Sequence, residues 1–314
     1  MTRPEFSRFA ASPASVLTAL VVVLLGTGCR SAAPPAAPVP TVETAPVAPA
    51  AAAADPCAVS LGACDGLDGV LWFQTAEEAR QLQRQAFLAA RRALDRALEE
   101  PAWSALGQGA DAAKLPLAVI ADVDETLLDN SPFEGWMLRS GRQFNAADWT
   151  AWVDAAEARP LAGAVEFARY AAERGVTLFY VTNRDAEHEA ATLDNLRREG
   201  FPLRDDVDVL LLRGERPEWT SDKQGRRELV ASGFRVVLLL GDDLNDFMTG
   251  VYDATPERRA ELAASAADRF GTSWFVLPNP HYGSWKRALD SGQPRAAGPD
   301  EVRQRKLARL RAFR

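Results

Sequence analysis

The stretch LAVIADVDET, residues 117–126, decides the fold of this 314-residue chain. Its apolar first half predicts a strand over 117–122 that is buried on both faces, as strands of parallel sheets are. Four more apolar runs follow, most of them separated by helical or loop segments, at 176–182, 207–212, 235–240 and 273–277. The pattern predicts an α/β fold: a Rossmann-like parallel sheet with helices on both faces.

A smaller helical domain is predicted from three segments beside the sheet. Residues 71–98 carry apolar residues at helical spacing, and Thr75 with Glu78 forms a capping-box pattern, so we predict one long helix that begins near Thr75. The insertion 127–160 is predicted to hold loops and short helices that cover the end of the first strand. A last helix is predicted over 300–314.

The N-terminus has the features of an export signal. Arg3 and Arg8 precede an apolar run at 16–25, which is shorter than the roughly 20 residues that a membrane span needs. The run ends in LGTGC, which resembles a bacterial lipoprotein signal whose cysteine, Cys29, accepts the lipid. An ordinary signal with a chance cysteine is the alternative. Because Arg30 follows instead of Asp, we expect an exported protein that is lipid-anchored to the bacterial outer membrane.

The segment that follows is rich in Pro and Ala and has the composition of an extended tether. Cys57 and Cys64 remain once Cys29 is assigned to the lipid. They either form a disulfide, which an exported location favours, or stay as free thiols. The predicted domain organisation is a signal segment 1–29, a tether 30–65, a helical segment 66–110, a core 111–290 with its insertion 127–160, and a tail 291–314.

The charge of the chain excludes one class of partner. The net charge is -7 and the pI is near 5.1, with no basic run interleaved with aromatic residues. Such a chain offers no cationic field to a nucleic acid polymer. Small phosphate esters remain as substrates.

Polar residues follow the predicted strands at their carboxyl ends, where ligands bind in open parallel sheets. Asp122 and Asp124 suit a division of labour between a nucleophile and a proton-transfer group. Thr182 and Asn183 offer a hydroxyl and an amide to phosphoryl oxygens, and Lys223 offers a positive charge. Taken singly, these residues are also compatible with a helix cap, a turn and a solvated lysine.

The fourth strand is followed by the acidic sequence GDDLND, residues 241–246. Carboxylates next to a buried apolar run are costly to bury without a cation. Oxygen ligands favour a hard metal such as Mg²⁺, whereas helix capping is the alternative.

Together these features resemble the class C acid phosphatases, the bacterial lipoprotein acid phosphatases of subfamily IIIB in the haloacid dehalogenase superfamily. The resemblance covers roughly residues 66–290. Six stretches carry it in order: VLWFQTAEEARQL at 70–82, ADVDETLLDNSPF at 121–133, FYVTNRDAE at 179–187, SDKQGRR at 221–227, LLLGDDLNDF at 238–247 and VLPNPHYGSW at 276–285.

The resemblance implies a metal-dependent acid phosphatase that hydrolyses phosphomonoesters through an aspartyl phosphate. Asp122 would be the nucleophile and Asp124 the general acid and base. Thr182 and Lys223 would bind the phosphoryl group. Asp243 stands where many relatives have Asn. One Mg²⁺ per chain would be held by Asp122, Asp124 through its backbone carbonyl, Asp242 and Asp246.

Aromatic residues in the first and last of these stretches bear on the substrate. Trp72, Tyr282 and Trp285 would stack a nucleobase, which would make nucleoside 5'-monophosphates substrates and the enzyme a 5'-nucleotidase. Ordinary packing of the terminal segments is the alternative. His188 is predicted to lie on a helix surface, whereas His281 either lines the site or packs beside it.

Two other functions remain open at this point. A catalytically silent, lipid-anchored binding or adhesion protein would share the fold, because fold does not establish function. Transfer of the phosphoryl group to an alcohol would use the same intermediate with a different acceptor. A homo-oligomer is also left open.

Overall fold

The computed structural model of the protein describes residues 64–294 and 296–313. The predicted signal 1–29 with Cys29, nearly all of the predicted tether 30–65, and Cys57 lie outside the described residues. Cys64 is disulfide-bonded. Among the described helices, none combines the length and the apolar character needed to cross a membrane.

The strands are β1 Leu117–Ala121, β2 Leu128–Asp129, β3 Arg159–Pro160, β4 Thr177–Asp185, β5 Leu210–Arg213, β6 Arg235–Gly241 and β7 Trp274–Val276. Five of them form a parallel sheet in the order β5-β4-β1-β6-β7, and β2 pairs antiparallel with β3 outside it. Every residue of β6 is buried, as are four of the five in β1. Both strands are therefore covered on both faces, and the prediction of a parallel sheet is confirmed.

The helices are α1 Leu67–Thr75, α2 Glu77–Glu99, α3 Ser131–Ser140, α4 Ala146–Ala155, α5 Ala164–Glu173, α6 Glu189–Glu199, α7 Gln224–Gly233, α8 Pro256–Ala264, α9 Ser284–Leu289 and α10 Pro299–Arg309. The chain runs from β1 through β4 to β5, then crosses to β6 and β7. Because such crossovers are right-handed, α5 and α6 cover one face and α7 and α8 the other. Helix α2 packs on α5 and touches β6 and β7.

The long helix predicted to begin near Thr75 is found as α2, which begins at Glu77, whereas the preceding helix α1 was not predicted and the predicted capping box at Thr75 is wrong. Two helices, α1 and α2, meet at Ala76, whose backbone is extended with φ of -76° and ψ of 128°. Thr75 is the last residue of α1, and its hydroxyl donates a hydrogen bond to the carbonyl of Leu71 at 2.6 Å. That hydroxyl is therefore not available to form the capping box with Glu78. At the other end of the chain, α10 ends at Arg309 instead of 314.

The chain changes direction between β1 and β6, and this switch point positions the site. Strands β4 and β5 lie to one side of β1, and β6 and β7 lie to the other. The loops after β1 and β6 diverge there and leave a crevice at the carboxyl edge of the sheet. The insertion is built as predicted from short helices, α3 and α4, closed by the β2–β3 pair.

Candidate active site

Three carboxylates meet at the crevice. Asp122 directly follows β1, Asp242 directly follows β6, and Asp246 ends the short 3-10 turn Leu244–Asp246. Oxygens from all three lie within 4.8 Å of one another. Asp122 and Asp246 are only 6% exposed. The sheet thus gathers side chains that are up to 124 residues apart in the chain.

Gly241 makes this close approach possible. A Cβ atom at this position would lie 2.3 Å from Oδ2 of Asp246 and 2.4 Å from its Cβ, which is closer than any real contact. The backbone NH of Asp243 donates to the same carboxylate at 3.0 Å. Any larger residue at 241 would push Asp246 away from the cluster.

Lys223 is the buried cation of the site. It precedes α7 and is 3% exposed. Its ammonium donates to the Asp122 carboxylate and to Oδ1 of Asp246 at 2.6 Å. Burial favours the neutral amine, but the two facing carboxylates outweigh it and raise the pKa of Lys223 above its usual value. Lys223 is therefore held as a fixed positive charge.

One ammonium does not neutralise three carboxylates. Burial raises the pKa of Asp122 to about 7 in spite of Lys223. Burial, reinforced by the charge of Asp122, holds the pKa of Asp242 well above its usual range, and burial also raises the pKa of Asp246. Burial is therefore the main cause of the raised carboxyl pKa values, with repulsion between the carboxylates adding to it, whereas the charges of Asp122 and Asp246 raise the pKa of Lys223.

Neighbouring side chains orient two of the carboxylates. The Thr126 hydroxyl donates to Oδ2 of Asp122 at 3.0 Å, and the Asn279 amide donates to Oδ2 of Asp242 at 2.7 Å. Asp243 points elsewhere: it accepts hydrogen bonds from the backbone NH and the hydroxyl of Ser284. Asp243 thus fastens the start of α9 to the loop after β6.

Asp124 lies beside the cluster in a separate set of hydrogen bonds. The Arg184 guanidinium donates to Oδ1 of Asp124 at 2.8 and 3.0 Å, and the Asn130 amide donates to the same oxygen at 2.9 Å. The Arg184 side chain is only 1% exposed. The next residue, Glu125, has a φ of 57°, which is unusual for a residue other than glycine. The Asp124 carboxylate is therefore held in one orientation.

The two predicted phosphate-binding residues at the end of β4 have partners of their own. The Thr182 hydroxyl donates to Oδ2 of Asp124 at 3.3 Å. The Asn183 amide donates to the carbonyl of Ser221 at 3.0 Å and accepts from Arg226 at 2.7 Å. Asn183 lines the cavity over the site, whereas Thr182 is fully buried behind it.

A cavity of about 780 Å³ opens over these residues. The insertion supplies an aromatic wall, and α9 and α10 supply further lining residues. Phe133 lies 5.3 Å from Trp149 and 6.3 Å from Phe144, measured between ring centres. The cavity accommodates a leaving group much larger than phosphate. If that leaving group has an aromatic ring, the ring can contact the aromatic side chains of the wall.

The three predicted stacking residues lie in different environments in the structure. Tyr282 lines the cavity, and its hydroxyl contacts the buried carboxylate of Glu125. Trp72 is not among the cavity-lining residues: it lies in α1 and packs, half buried, against the hydrophobic core. Trp285 is 38% exposed, and its indole NH donates to the carbonyl of Tyr282 at 2.9 Å. We therefore keep the stacking hypothesis for Tyr282 alone.

One of the two histidines differs from its predicted place. His188 is 2% exposed, with Nε2 3.1 Å from the hydroxyl of Thr150, so the prediction of a helix-surface position is wrong. Helix α4 of the insertion covers it. His281 lines the cavity and packs edge-on against Phe73 at 4.6 Å. Burial lowers the pKa of His281 to about 4.

Sequence reasoning missed the residues that orient the carboxylates, above all Arg184, Asn130 and Asn279. Arg184 directly follows Thr182 and Asn183 at the end of β4, and this position at a strand end could have identified it from the sequence as a site residue. Asn130 and Asn279 carry no such signal, because each reaches its carboxylate only through the fold.

Comparisons with known proteins identify the family of the chain. A family model described as HAD superfamily, subfamily IIIB (acid phosphatase), matches residues 43–285. The solved class C acid phosphatase from Bacillus anthracis is 31% identical, with a TM-score of 0.70 over 81% of this chain and 99% of that one. Its structure with tungstate bound is also 31% identical, with a TM-score of 0.68 over 80% of this chain and 99% of that one.

A curated plant protein is similar over a shorter stretch. Acid phosphatase 1 from Solanum lycopersicum is 30% identical over 167 residues, which are 52% of this chain. The match spans 57% of the tomato protein's length.

Proposed function

The chain belongs to subfamily IIIB of the HAD superfamily, and on this premise we propose that it is a metal-dependent acid phosphatase that hydrolyses phosphomonoesters through an aspartyl phosphate. One observation carries the proposal: Asp122, Asp242 and Asp246 converge at a switch point, with Lys223 bonded to two of them, beneath a cavity. A charged nucleophile, a cation and a space for the leaving group are what phosphoryl transfer requires.

The residues fit a hard divalent cation. Asp122 and Asp246 are buried and Asp242 is partly buried, and among the described residues Lys223 is the cation that forms ion pairs with this cluster, so negative charge remains in a place where water screens it poorly. Their ligand atoms are all oxygens, which Mg²⁺ prefers. Asp122, Asp242 and Asp246 would hold the ion, with the Asp124 backbone carbonyl as a further ligand. When bound, the ion supplies charge neutralisation that lets an anionic carboxylate approach an anionic phosphate.

The protein groups have distinct parts in the reaction. A carboxylate oxygen of Asp122 forms a bond to phosphorus as the bond from phosphorus to the leaving oxygen breaks. Lys223 stabilises the charge on the phosphoryl oxygens. Asp124 gives a proton to the leaving oxygen and later takes one from the water that hydrolyses the aspartyl phosphate. Arg184 and Asn130 keep the Asp124 carboxylate in the orientation needed for both transfers.

Release of inorganic phosphate tests the proposal. Protein that lacks residues 1–55 is assayed with phenyl phosphate and nucleoside monophosphates, with Mg²⁺ or EDTA, from acidic to neutral pH. We expect release that requires the metal and is fastest at acidic pH. Thermal unfolding with and without Mg²⁺ reports metal binding apart from turnover. Folded protein that binds metal and releases no phosphate would favour the catalytically silent binding protein, and a phosphorylated product with added glycerol would indicate phosphotransfer.

Nucleoside 5'-monophosphates are the proposed substrates within this class, and Tyr282 is the proposed stacking residue. The support is its place in the cavity, opposite a chain segment rich in aromatic residues. We expect Tyr282→Ala to lower kcat/KM for a nucleoside monophosphate, relative to phenyl phosphate, by about 10-fold, since stacking of one base contributes roughly 1–3 kcal/mol. Tyr282→Phe keeps the ring and the preference.

Trp72→Ala is the matched comparison. Because Trp72 packs against the core, its loss is expected to lower the unfolding temperature and leave the substrate preference unchanged. An unchanged preference in Tyr282→Ala would remove the stacking hypothesis. If only Trp72→Ala changed the substrate preference, the stacking role would be assigned to Trp72 instead of Tyr282.

Export and lipid anchoring through Cys29 are also proposed, on the sequence of residues 1–29. We expect the full chain, expressed in a bacterium, to sediment with membranes and to incorporate labelled fatty acid. Cys29→Ser is expected to lose the label. Label retained by the variant, or fully soluble wild-type protein, contradicts the lipid anchor.

A further inference from the structure

Part of the cavity wall lies outside the residues that the family model matches. Lys286 in α9 and Lys306 in α10 both line the cavity that contains Asp122. The family match ends at residue 285. Neither lysine takes part in the chemistry proposed above, yet both line the cavity that is proposed to hold the leaving group.

Helix α10 is held in place by charge, not by apolar packing. None of its residues is buried. Lys306 pairs with the carboxylate of Asp65, and Arg303 lies 3.5 Å from the same carboxylate. Arg309 donates to the carbonyl of Leu289 at 2.8 Å. The helix is thereby tied both to the start of the described chain and to the end of α9.

Two ammonium groups, those of Lys286 and Lys306, lie in this wall. The lining cations at this end are Lys286, Arg287 and Lys306, and they are matched in number by Asp65, Glu134 and Asp290. Arg287 and Lys306 are each paired with an acid. Burial lowers the pKa of Lys286, and the charge of Lys306 acts in the same direction, so the two ammonium groups are close enough to repel each other. An anion between them would relieve that repulsion.

Lys286 has hydrogen-bonding capacity to offer. Its ammonium donates to the carbonyl of His281. Among the described residues, no carboxylate lies within 4.0 Å of Lys286, although the cavity holds other basic residues that are paired with acids, such as Arg213 with Asp185. An ammonium has three donors, so Lys286 can bind a further acceptor.

We propose that Lys286, assisted by Lys306, binds an anionic group on the leaving group of the substrate. Phosphomonoesters with a second anionic group, including nucleotides that carry one, are then hydrolysed in preference to those with a neutral leaving group, among which simple nucleoside monophosphates remain substrates. This inference rests on the proposed phosphatase function and names its substrate class. The second anion is recognised by its charge, and a carboxylate and a second phosphate share that chemistry.

Non-hydrolysable analogues test the inference without turnover. Calorimetry compares the affinity of the metal-loaded protein for phenylphosphonate, 4-carboxyphenylphosphonate and 1,4-phenylenediphosphonate. We expect wild-type protein to bind the two charged analogues about 10-fold more tightly than phenylphosphonate, since a hydrogen bond between oppositely charged groups strengthens binding by roughly that factor or more. The difference in affinity between the two charged analogues shows whether the site prefers a carboxylate or a second phosphate group. Equal affinities for all three would overturn the proposal.

Substitution assigns the preference to the lysine. Lys286→Met is expected to remove most of the preference, whereas Lys114→Met, at an exposed position in the turn before β1, is expected to keep it. A preference that persists in folded Lys286→Met overturns the assignment. The kcat/KM ratio of 4-carboxyphenyl phosphate to phenyl phosphate is measured in parallel. If the wild-type protein hydrolyses neither, the phosphatase proposal fails, while the phosphonate affinities still decide the role of Lys286.

Discussion

Asp122→Asn is expected to lower phosphatase turnover by at least about 10³-fold, because an amide does not replace the carboxylate that attacks phosphorus. The amide has the size of the carboxyl group and removes one of three crowded negative charges, so we expect the variant to fold as well as wild type. Phosphate release under metal saturation measures the effect.

The matched control is Asp111→Asn, at a fully exposed position in the 3-10 turn Ala110–Lys114, which is expected to keep full activity. Acid quenching of the reaction with labelled substrate should trap phosphate on wild-type protein and none on Asp122→Asn. Turnover of Asp122→Asn near the wild-type rate, or trapped label in that variant, would sink the assignment of Asp122 as the nucleophile.

Lys223→Met is expected to lower kcat/KM by about 10²–10³-fold, since Lys223 is the buried cation proposed to stabilise the transferring phosphoryl group. The metal-free protein should also lose about 3–5 kcal/mol of unfolding free energy, because Asp122 and Asp246 lose their shared buried partner. Kinetics and denaturant unfolding measure the two effects.

Varying the Mg²⁺ concentration distinguishes the role of Lys223 in stability from its proposed role in binding the phosphoryl group. Added Mg²⁺ is expected to restore part of the stability of Lys223→Met and little of its activity, because the cation neutralises the carboxylates without replacing the ammonium. Lys114→Met, which removes an exposed lysine, should change neither quantity. Activity within a few-fold of wild type in Lys223→Met would contradict the phosphate-binding role.

Individual residues show why some features were predictable and others were not. β1 and β6 were read from continuous apolar runs, because a strand buried on both faces leaves that pattern in any sequence. Helix α1 was missed because the apolar spacing of its last residues continues into α2 and does not show that a separate helix precedes Ala76. His188 was placed on a surface because the periodicity of its own segment does not reveal that α4 covers it.

The sequence by itself determined the family and marked the candidate site: the acids after β1 and β6, the lysine before α7 and the order in which they occur were all readable from it. Local spacing suffices for this, because the end of each strand is encoded where its apolar run stops. Only the tertiary structure decided which groups meet. It brought Arg184 and Asn130 onto Asp124, left Trp72 in the core, and turned Lys286 toward the cavity, because contacts across the chain depend on how the helices pack and not on the residues beside each position.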